Sequence, residues 1–478
     1  MKRVLRIATF ISMLGILVHL SCQKRFLCPD CDSNKPPVAQ AGKDTTIILP
    51  VDSVILDGRA SVDPDNNIVS YAWTKISGPS SFNIVNANAV QTQVSNLVAG
   101  VYQFELKVTD AGGLFSKDTI RVSVNPAAGI VDCNGIIRPL INAQLIPIST
   151  LSQTRTDVAV ASAGNKILFA GGYIPGTPSS RVDIFDITTN SWTTAELSQA
   201  REGLTTAVLG NKIFFAGNYD LAEDGVSHGS SHVDIYDAIS DTWTTAELSY
   251  ARGEMSGAVA GNKVLFAGGF NSGNGIANSY PGTVDIYDVL NNSWSQSYLT
   301  GRPAGTTLGI AATVIGNKIY FAGGYDPFFG RSTSKINVYD ASKNTWSTSD
   351  LSIVRGYMAS IAVGNKNYWA GGYNTTNETD EVVEIRDMNS GSSTFNCLFQ
   401  PNAFFSAVLK DNKIVFFTGD GAEKNKFDVY DIATNTWSIG VLPQSITRAA
   451  IISVNNTIYV AGGDINGVLS NQVWKLEF

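Results

Sequence analysis

A segment of about fifty residues recurs along the last two-thirds of this chain, and no other feature restricts its fold as severely. Ile167-Leu168-Phe169-Ala170-Gly171-Gly172, Val264-Leu265-Phe266-Ala267-Gly268-Gly269 and Ile319-Tyr320-Phe321-Ala322-Gly323-Gly324 are near copies. Further copies end at Gly217-Asn218, Gly371-Gly372, Gly419-Asp420 and Gly462-Gly463, which makes seven. Each of the first six is followed by a stretch ending in Asp and then an aromatic: Trp192, Trp243, Trp294, Trp346, Phe395 and Trp437. The first four aromatics lie 51, 51 and 52 residues apart. A unit this small cannot bury its own apolar face, so the copies must stack on one another.

The residue patterns within a repeat predict four strands. The stretch before each Gly pair is continuously apolar, as a strand covered on both faces requires. The stretch before that one is rich in small residues, as in Val158-Ala159-Val160-Ala161-Ser162-Ala163, and suits an innermost strand crowded around an axis. The Gly pair admits close approach of another element. The seventh repeat stops after its third strand, Gln472-Val473-Trp474-Lys475-Leu476. Gln144-Leu145-Ile146-Pro147-Ile148-Ser149-Thr150 is expected to supply the missing fourth and remove an open edge. The fold class is therefore all-β, with a seven-bladed propeller over 127–478. The Gly pair and downstream Trp resemble the kelch repeat, over about 155–478. That resemblance implies that each Trp packs at the Gly pair.

Residues 36–126 read as a separate small β-sandwich. Val54-Ile55-Leu56-Asp57-Gly58, Ile68-Val69-Ser70-Tyr71-Ala72-Trp73 and Tyr102-Gln103-Phe104-Glu105-Leu106-Lys107-Val108 are strands divided by turns such as Asp63-Pro64-Asp65-Asn66-Asn67. The Asp-Pro-Asp turn before the Trp strand resembles PKD-type (polycystic-kidney-disease-type) immunoglobulin-like domains. The common Trp-Asp-Phe-Gly-Asp-Gly stretch of that family is replaced by Trp73-Thr74-Lys75-Ile76-Ser77-Gly78-Pro79, as in one of its subgroups. The resemblance implies a spacer or weak adhesion module.

The N-terminus reads as a targeting segment, 1–21, with a linker over 22–35. Lys2, Arg3 and Arg6 precede an apolar run from Ile7 to Leu20 that is too short to span a membrane. Leu20-Ser21-Cys22 resembles a bacterial lipoprotein signal, which implies acylation at Cys22 and a cell-envelope, outer-membrane location. The family's Leu three before the Cys is His19 here. Cleavage would remove three bases and take the formal charge from −7 to −10. Cys28-Pro-Asp-Cys31 is read as a local disulfide, since one pair is too few for tetrahedral zinc. An exported compartment permits a Cys133–Cys397 bond, which the sequence leaves undecided.

The expected binding face follows from spacing. Asp to Trp is six residues in five of six repeats, so those turns are short and fixed. The interval from Gly pair to aromatic varies from 17 to 25 residues, and variable loops on a rigid scaffold carry binding. The lead-in to the first strand shares that face. Arg155, Arg201, Arg252 and Arg355 each sit nine residues before Gly164, Gly210, Gly261 and Gly364. Arg302 stands at the same junction with five extra residues, Arg448 is offset by two, and the sixth repeat has Asn402. Two readings stay open for this ring: local ion pairs, or forked donors around a channel mouth for carboxylates or sulfates. A second ring follows the Gly pairs: Tyr173, Tyr219, Phe270, Tyr325 and Tyr373, with Phe328 and Phe329 added by one loop. Aromatics there can pack between blades, stack on sugars or anchor a protein.

No Ser-His-Asp pattern, phosphate loop or metal-ligand cluster is present, so the reading carries no catalytic residue, cofactor or metal. Copper-radical oxidases on this propeller need two His, two Tyr and a Cys; only His228 and His232 remain after processing, four apart in one loop. Sialic-acid mutarotases on the same propeller use carboxylates and Arg near the channel, and neither Glu202 nor Glu254 can be singled out. The expectation is a non-catalytic, monomeric envelope lipoprotein that binds a glycan or extracellular protein, not nucleic acid, through the loop-rich face. Its membrane contact is the N-terminal lipid alone. The alternatives are a mutarotase-like enzyme and a structural subunit of a surface complex.

Overall fold

The computed structural model describes residues 34–478 except 50, 126–128, 218, 222–226, 271–281, 301–306, 327–329 and 377. Cys22, Cys28 and Cys31 lie outside the described residues. All the regular elements described are strands.

The first unit is a sandwich of two sheets. One takes Thr45–Ile48, Phe115–Asn125, Gly100–Asp110 and Ile68–Ser77 in that spatial order; the other takes Val54–Asp57, Gln91–Ser95 and Asn83–Ile84. Alternation decides which side chains turn inward. Along Gly100–Asp110, Tyr102, Phe104, Leu106 and Val108 are fully buried while the residues between them are less so. Trp73 joins this core and donates its indole N–H to the Ala89 carbonyl at 3.1 Å. The Asp63 carboxylate accepts the Asp65 amide at 2.7 Å, and Asn66 takes φ 55°, which closes the turn read from the sequence.

Seven further sheets, each built on four antiparallel strands, follow as propeller blades. Blade one is Ala159–Ala163, Lys166–Ala170, Arg181–Asp186 and Ser191–Glu196, running outward. The first strands touch in cyclic order, and Ala159–Ala163 meets Ala450–Val454 of blade seven to close the ring. The outer strand of blade seven is Gln144–Thr150, antiparallel to Gln472–Glu477, so both ends of the repeat region are joined in one sheet. Second strands are buried on both faces: Ile167, Leu168, Phe169 and Ala170 all have no exposure.

Turn chemistry explains the constant six-residue interval. Asp186 accepts the Thr188 and Thr189 amides at 2.9 and 3.0 Å, and Asn190 takes φ 54°. The strand then resumes with Trp192 opposite Phe185, the two rings 4.8 Å apart, with Phe169 at 5.9 Å. This corrects the kelch-based expectation that the Trp packs on the Gly pair. The Gly pair meets the next blade instead. A Cβ on Gly171 would fall 2.5 Å from the Arg201 carbonyl oxygen, and one on Gly172 would fall 2.6 Å from that of Thr156. Both glycines hold positive φ. Gly172 donates to Arg201, Gly269 to Thr307, Gly324 to Arg355, Gly372 to Asn402 and Gly463 to Arg155, so this amide links neighbouring blades around the ring.

The lead-in arginines take the first of their two readings. Arg155, Arg201, Arg252 and Arg355 are at most 1% exposed and are paired with Asp183, Asp234, Asp285 and Glu384 on the third strand of their blade. Their remaining N–H groups donate to backbone carbonyls, as Arg155 does to Gly171 at 2.6 Å and Arg252 to Gly268 at 2.8 Å. The acid also accepts a backbone amide from the crossover: Ser152 to Asp183, Ser198 to Asp234, Ser249 to Asp285 and Ser352 to Glu384. Burial lowers the affinity of Arg155, Arg252 and Arg355 for their protons. The pairing with an acid opposes that shift.

Blade six lacks the arginine, having Asn402, yet keeps the acid, Asp428. Arg138 from the connecting segment fills the gap. It donates to Asp428 at 2.7 Å and to Asp132 at 3.0 Å, and lies 4.6 Å from the Trp437 ring. A Cys133–Cys397 disulfide ties that segment to blade six, and Leu140–Asn142 adds a fifth strand to the sheet.

Two outcomes are expected. Arg201→Met strands Asp234 without a partner and costs about 3–5 kcal/mol in denaturant unfolding, whereas Arg201→Met with Asp234→Leu recovers most of it. Unchanged stability in Arg201→Met alone would show the pair to be dispensable. Cys133→Ser with Cys397→Ser lowers stability by about 2–4 kcal/mol, and reduction of the parent chain reproduces that loss.

Candidate functional site

The lead-ins and the loops after the Gly pairs share one face. Isolated bridges join Thr156 to Tyr173, Gly253 to Phe270, Leu308 to Tyr325 and Gly356 to Tyr373. In each the loop residue meets the residue just after the lead-in position. The third bridge fixes the register of blade four: Thr307, not Arg302, occupies the place of Arg155, and it too lies nine residues before the turn glycine, Gly316. Blade seven has the buried Ile446 at this place, so Arg448 lies two residues further on.

Two residues beyond the lead-in position the chain adopts left-handed backbone in every blade. Asp157, Gly203, Glu254, Gly309, Tyr357, Phe404 and Arg448 have φ between 51° and 58°. Five of the seven are not glycine, an unusual density for this conformation. Their backbones are chained: Asp157 donates to the Arg448 carbonyl, Gly203 to Asp157, Tyr357 to Gly309 and Phe404 to Tyr357, at 2.8–3.3 Å. Amides and carbonyls are thus used in holding the rim, and side chains are left to define what it encloses.

The rim encloses a cavity of about 420 Å³, lined by all seven residues and by Glu202, Met255, Ser256 and Ile310. Arg448 pairs with Asp157 through both Nε and Nη2. Burial and the Asp157 charge push the Glu202 carboxyl above its ordinary range, and Arg448 opposes them. The Tyr357 hydroxyl donates to Glu254 at 2.6 Å. It can reach from blade five to blade three because Gly309, between them, has no side chain: a Cβ there would lie 2.4 Å from the Tyr357 ring. Tyr357 also lies 4.4 Å from Phe404, centroid to centroid, and Tyr325 and Tyr373 complete the aromatic group at 6.3 and 6.1 Å from Tyr357. Phe404 is 55% exposed.

The sequence-derived rings are therefore divided. Arg155, Arg201, Arg252 and Arg355 do not reach the cavity as donors, because their guanidiniums are turned inward to acids. Tyr325 and Tyr373 join the aromatic group beside the cavity, while Tyr173 and Phe270 are half-buried in the bridges described above. Tyr219 opens a short strand paired with Ser227–Gly229. Arg302, Phe328 and Phe329 lie outside the described residues. His232 is not a loop residue: it starts the third strand of blade two and contacts Glu247 at 2.5 Å. The rim residues were missed as a set because their identities differ from blade to blade. Their spacing was available, since each stands seven residues before the turn residue Gly164, Gly210, Gly261, Gly316, Gly364, Asp411 or Asn455.

Comparison with known proteins agrees with both halves of this architecture. Residues 41–124 match a family of PKD domains of the KIAA0319-like type, and residues 154–196 and 307–350 match kelch motifs. Over 99 residues the chain is 46% identical to low-density lipoprotein receptor-related protein 11 of Mus musculus, covering 20% of each protein. It is 43% identical over 93 residues to dyslexia-associated protein KIAA0319 of Homo sapiens, covering 20% of this chain and 9% of that one. Kelch-like protein 25 of Xenopus tropicalis is 29% identical over 234 residues, 46% of this chain and 38% of the relative. The chain thus spans a fifth or less of the first two relatives. It joins a PKD-like domain to a β-propeller bearing kelch motifs.

Proposed function

We propose that this chain is a non-catalytic binding protein whose partner is another protein, docked on the loop-rich face at the mouth of the propeller. The kelch repeats fit a protein-binding or scaffold role in general. The observation that carries the finer reading is the cavity inside the left-handed rim: a rigid backbone ring that presents different side chains from each blade. Concave sites with aromatic walls and a few placed charges are what ligands use. An exposed aromatic at the centre of such a face is a natural anchor for a protein partner.

Two other readings lose support. Recognition of an acidic sugar, and a mutarotase-like reaction, both leaned on the arginine ring, whose four described members are buried in ion pairs. Arg448 is at the mouth but is held by Asp157. In the proposed arrangement Cys22 carries the lipid that holds the chain in the cell envelope, and the PKD-like domain stands between anchor and propeller as a spacer. The order along the chain supports this, together with hydrogen bonds from Asn142 and Gln144 to Asp52 that tie the sandwich to the first propeller strands.

The test is affinity capture followed by mass spectrometry, using the whole chain and Phe404→Ala. Phe404→Ala is expected to lose the partners that the parent retains, while Ile239→Ala, an exposed change at a turn between the third and fourth strands, keeps them. Equal capture by all three would remove the mouth as the site. Anchoring is checked separately: a fatty-acid alkyne should label the parent chain in cells and not Cys22→Ser.

A further inference from the structure

Resting on the reading above, we propose that the cavity at the mouth receives a cationic side chain, an arginine or lysine, from the partner protein. Among the described residues, the charged groups lining it are Asp157, Glu202 and Glu254 against Arg448. Arg448 is already bound to Asp157, so the lining as a whole is acidic. Two further carboxylates, Asp464 near Arg448 and Asp420 near Tyr373, add to the same field from the neighbouring loops.

The shape fits that charge. Tyr357 and Phe404 form one wall of the cavity, and Glu254, held by the Tyr357 hydroxyl, forms the next. A guanidinium entering between them would lie over an aromatic face with a carboxylate at its edge, where both ring quadrupole and charge attract it. Gly309 is the residue that makes this possible, because any side chain there would displace the Tyr357 ring. An anionic ligand would meet the opposite of what it needs. A neutral sugar could stack on Phe404 but would gain nothing from the carboxylate excess, which makes charge the distinguishing variable.

The experiment uses the whole chain and two fluorescein-labelled heptapeptides, Gly-Ser-Ala-Arg-Ala-Ser-Gly and the same peptide with citrulline in place of arginine. Citrulline keeps the shape and removes the charge. Fluorescence anisotropy is expected to show the arginine peptide binding about tenfold more tightly than the citrulline peptide. That preference should collapse in Glu202→Gln with Glu254→Gln, and Gly309→Ala should weaken it through the displaced tyrosine. Thermal melting of each variant guards against misfolding. Equal binding of both peptides, lost together in Phe404→Ala, overturns the cation proposal and leaves the mouth as a docking site. Competition of the arginine peptide by neutral glucose or galactose as effectively as by free arginine amide also overturns it. Binding of neither peptide overturns it as well, and the capture comparison with Phe404→Ala then decides whether the docking face itself stands.

Discussion

The buried pair between a lead-in arginine and a third-strand acid is the interaction on which the propeller's geometry depends. In one contact it fixes the crossover between blades, caps the carbonyls at the end of the second strand and orients the third strand. Breaking such a pair in a dry site leaves a charge with no compensation, and the cost of that exceeds the net worth of the pair itself. Blade six illustrates the constraint. Its acid is retained without a local arginine, and the chain supplies Arg138 from outside the repeat, secured by a disulfide to the same blade. Blade four meets the constraint differently, with Thr307 and Asn337 in place of the charges and the Thr300 amide still donating to Asn337 at 2.7 Å.

Because these pairs and the inter-blade glycine amides hold the lead-ins, the residues two places further on are held as well. Their left-handed backbone would be costly in a free chain, and it persists only where neighbours over-determine it. Here the neighbours are the same positions of adjacent blades, chained by backbone hydrogen bonds. The rim is therefore architectural in its main chain and individual in its side chains. That division separates what every repeat must share from what can be used for recognition.

Much of the fold was legible because its signals are local and repeated. The Gly pairs, the apolar second strands and the fixed Asp-to-Trp interval each report a requirement that recurs in one blade after another. The position of the Trp was misread, since the close approach that the Gly pair permits is made by the next blade's backbone and not by an aromatic ring. The arginine ring was legible as a pattern but not as a role. A guanidinium nine residues before a turn glycine has the same sequence signature whether it faces an acid inside the blade or a ligand outside it. Arg302 shows the same weakness: an insertion placed an arginine near the junction, and only the Leu308–Tyr325 bridge identifies Thr307 as the residue in register.

Periodicity, glycine placement and turn chemistry act over a few residues, and they were enough to set the strand content, the repeat count and the face on which variable loops gather. Which charges are consumed in the interior and which remain at the mouth was settled only by packing in three dimensions. So was the meeting of Glu254, Tyr357 and Phe404, from three different blades, in one cavity. Those relations depend on closure of the ring, which brings residues 103 positions apart into hydrogen-bond contact, and no local pattern encodes that distance.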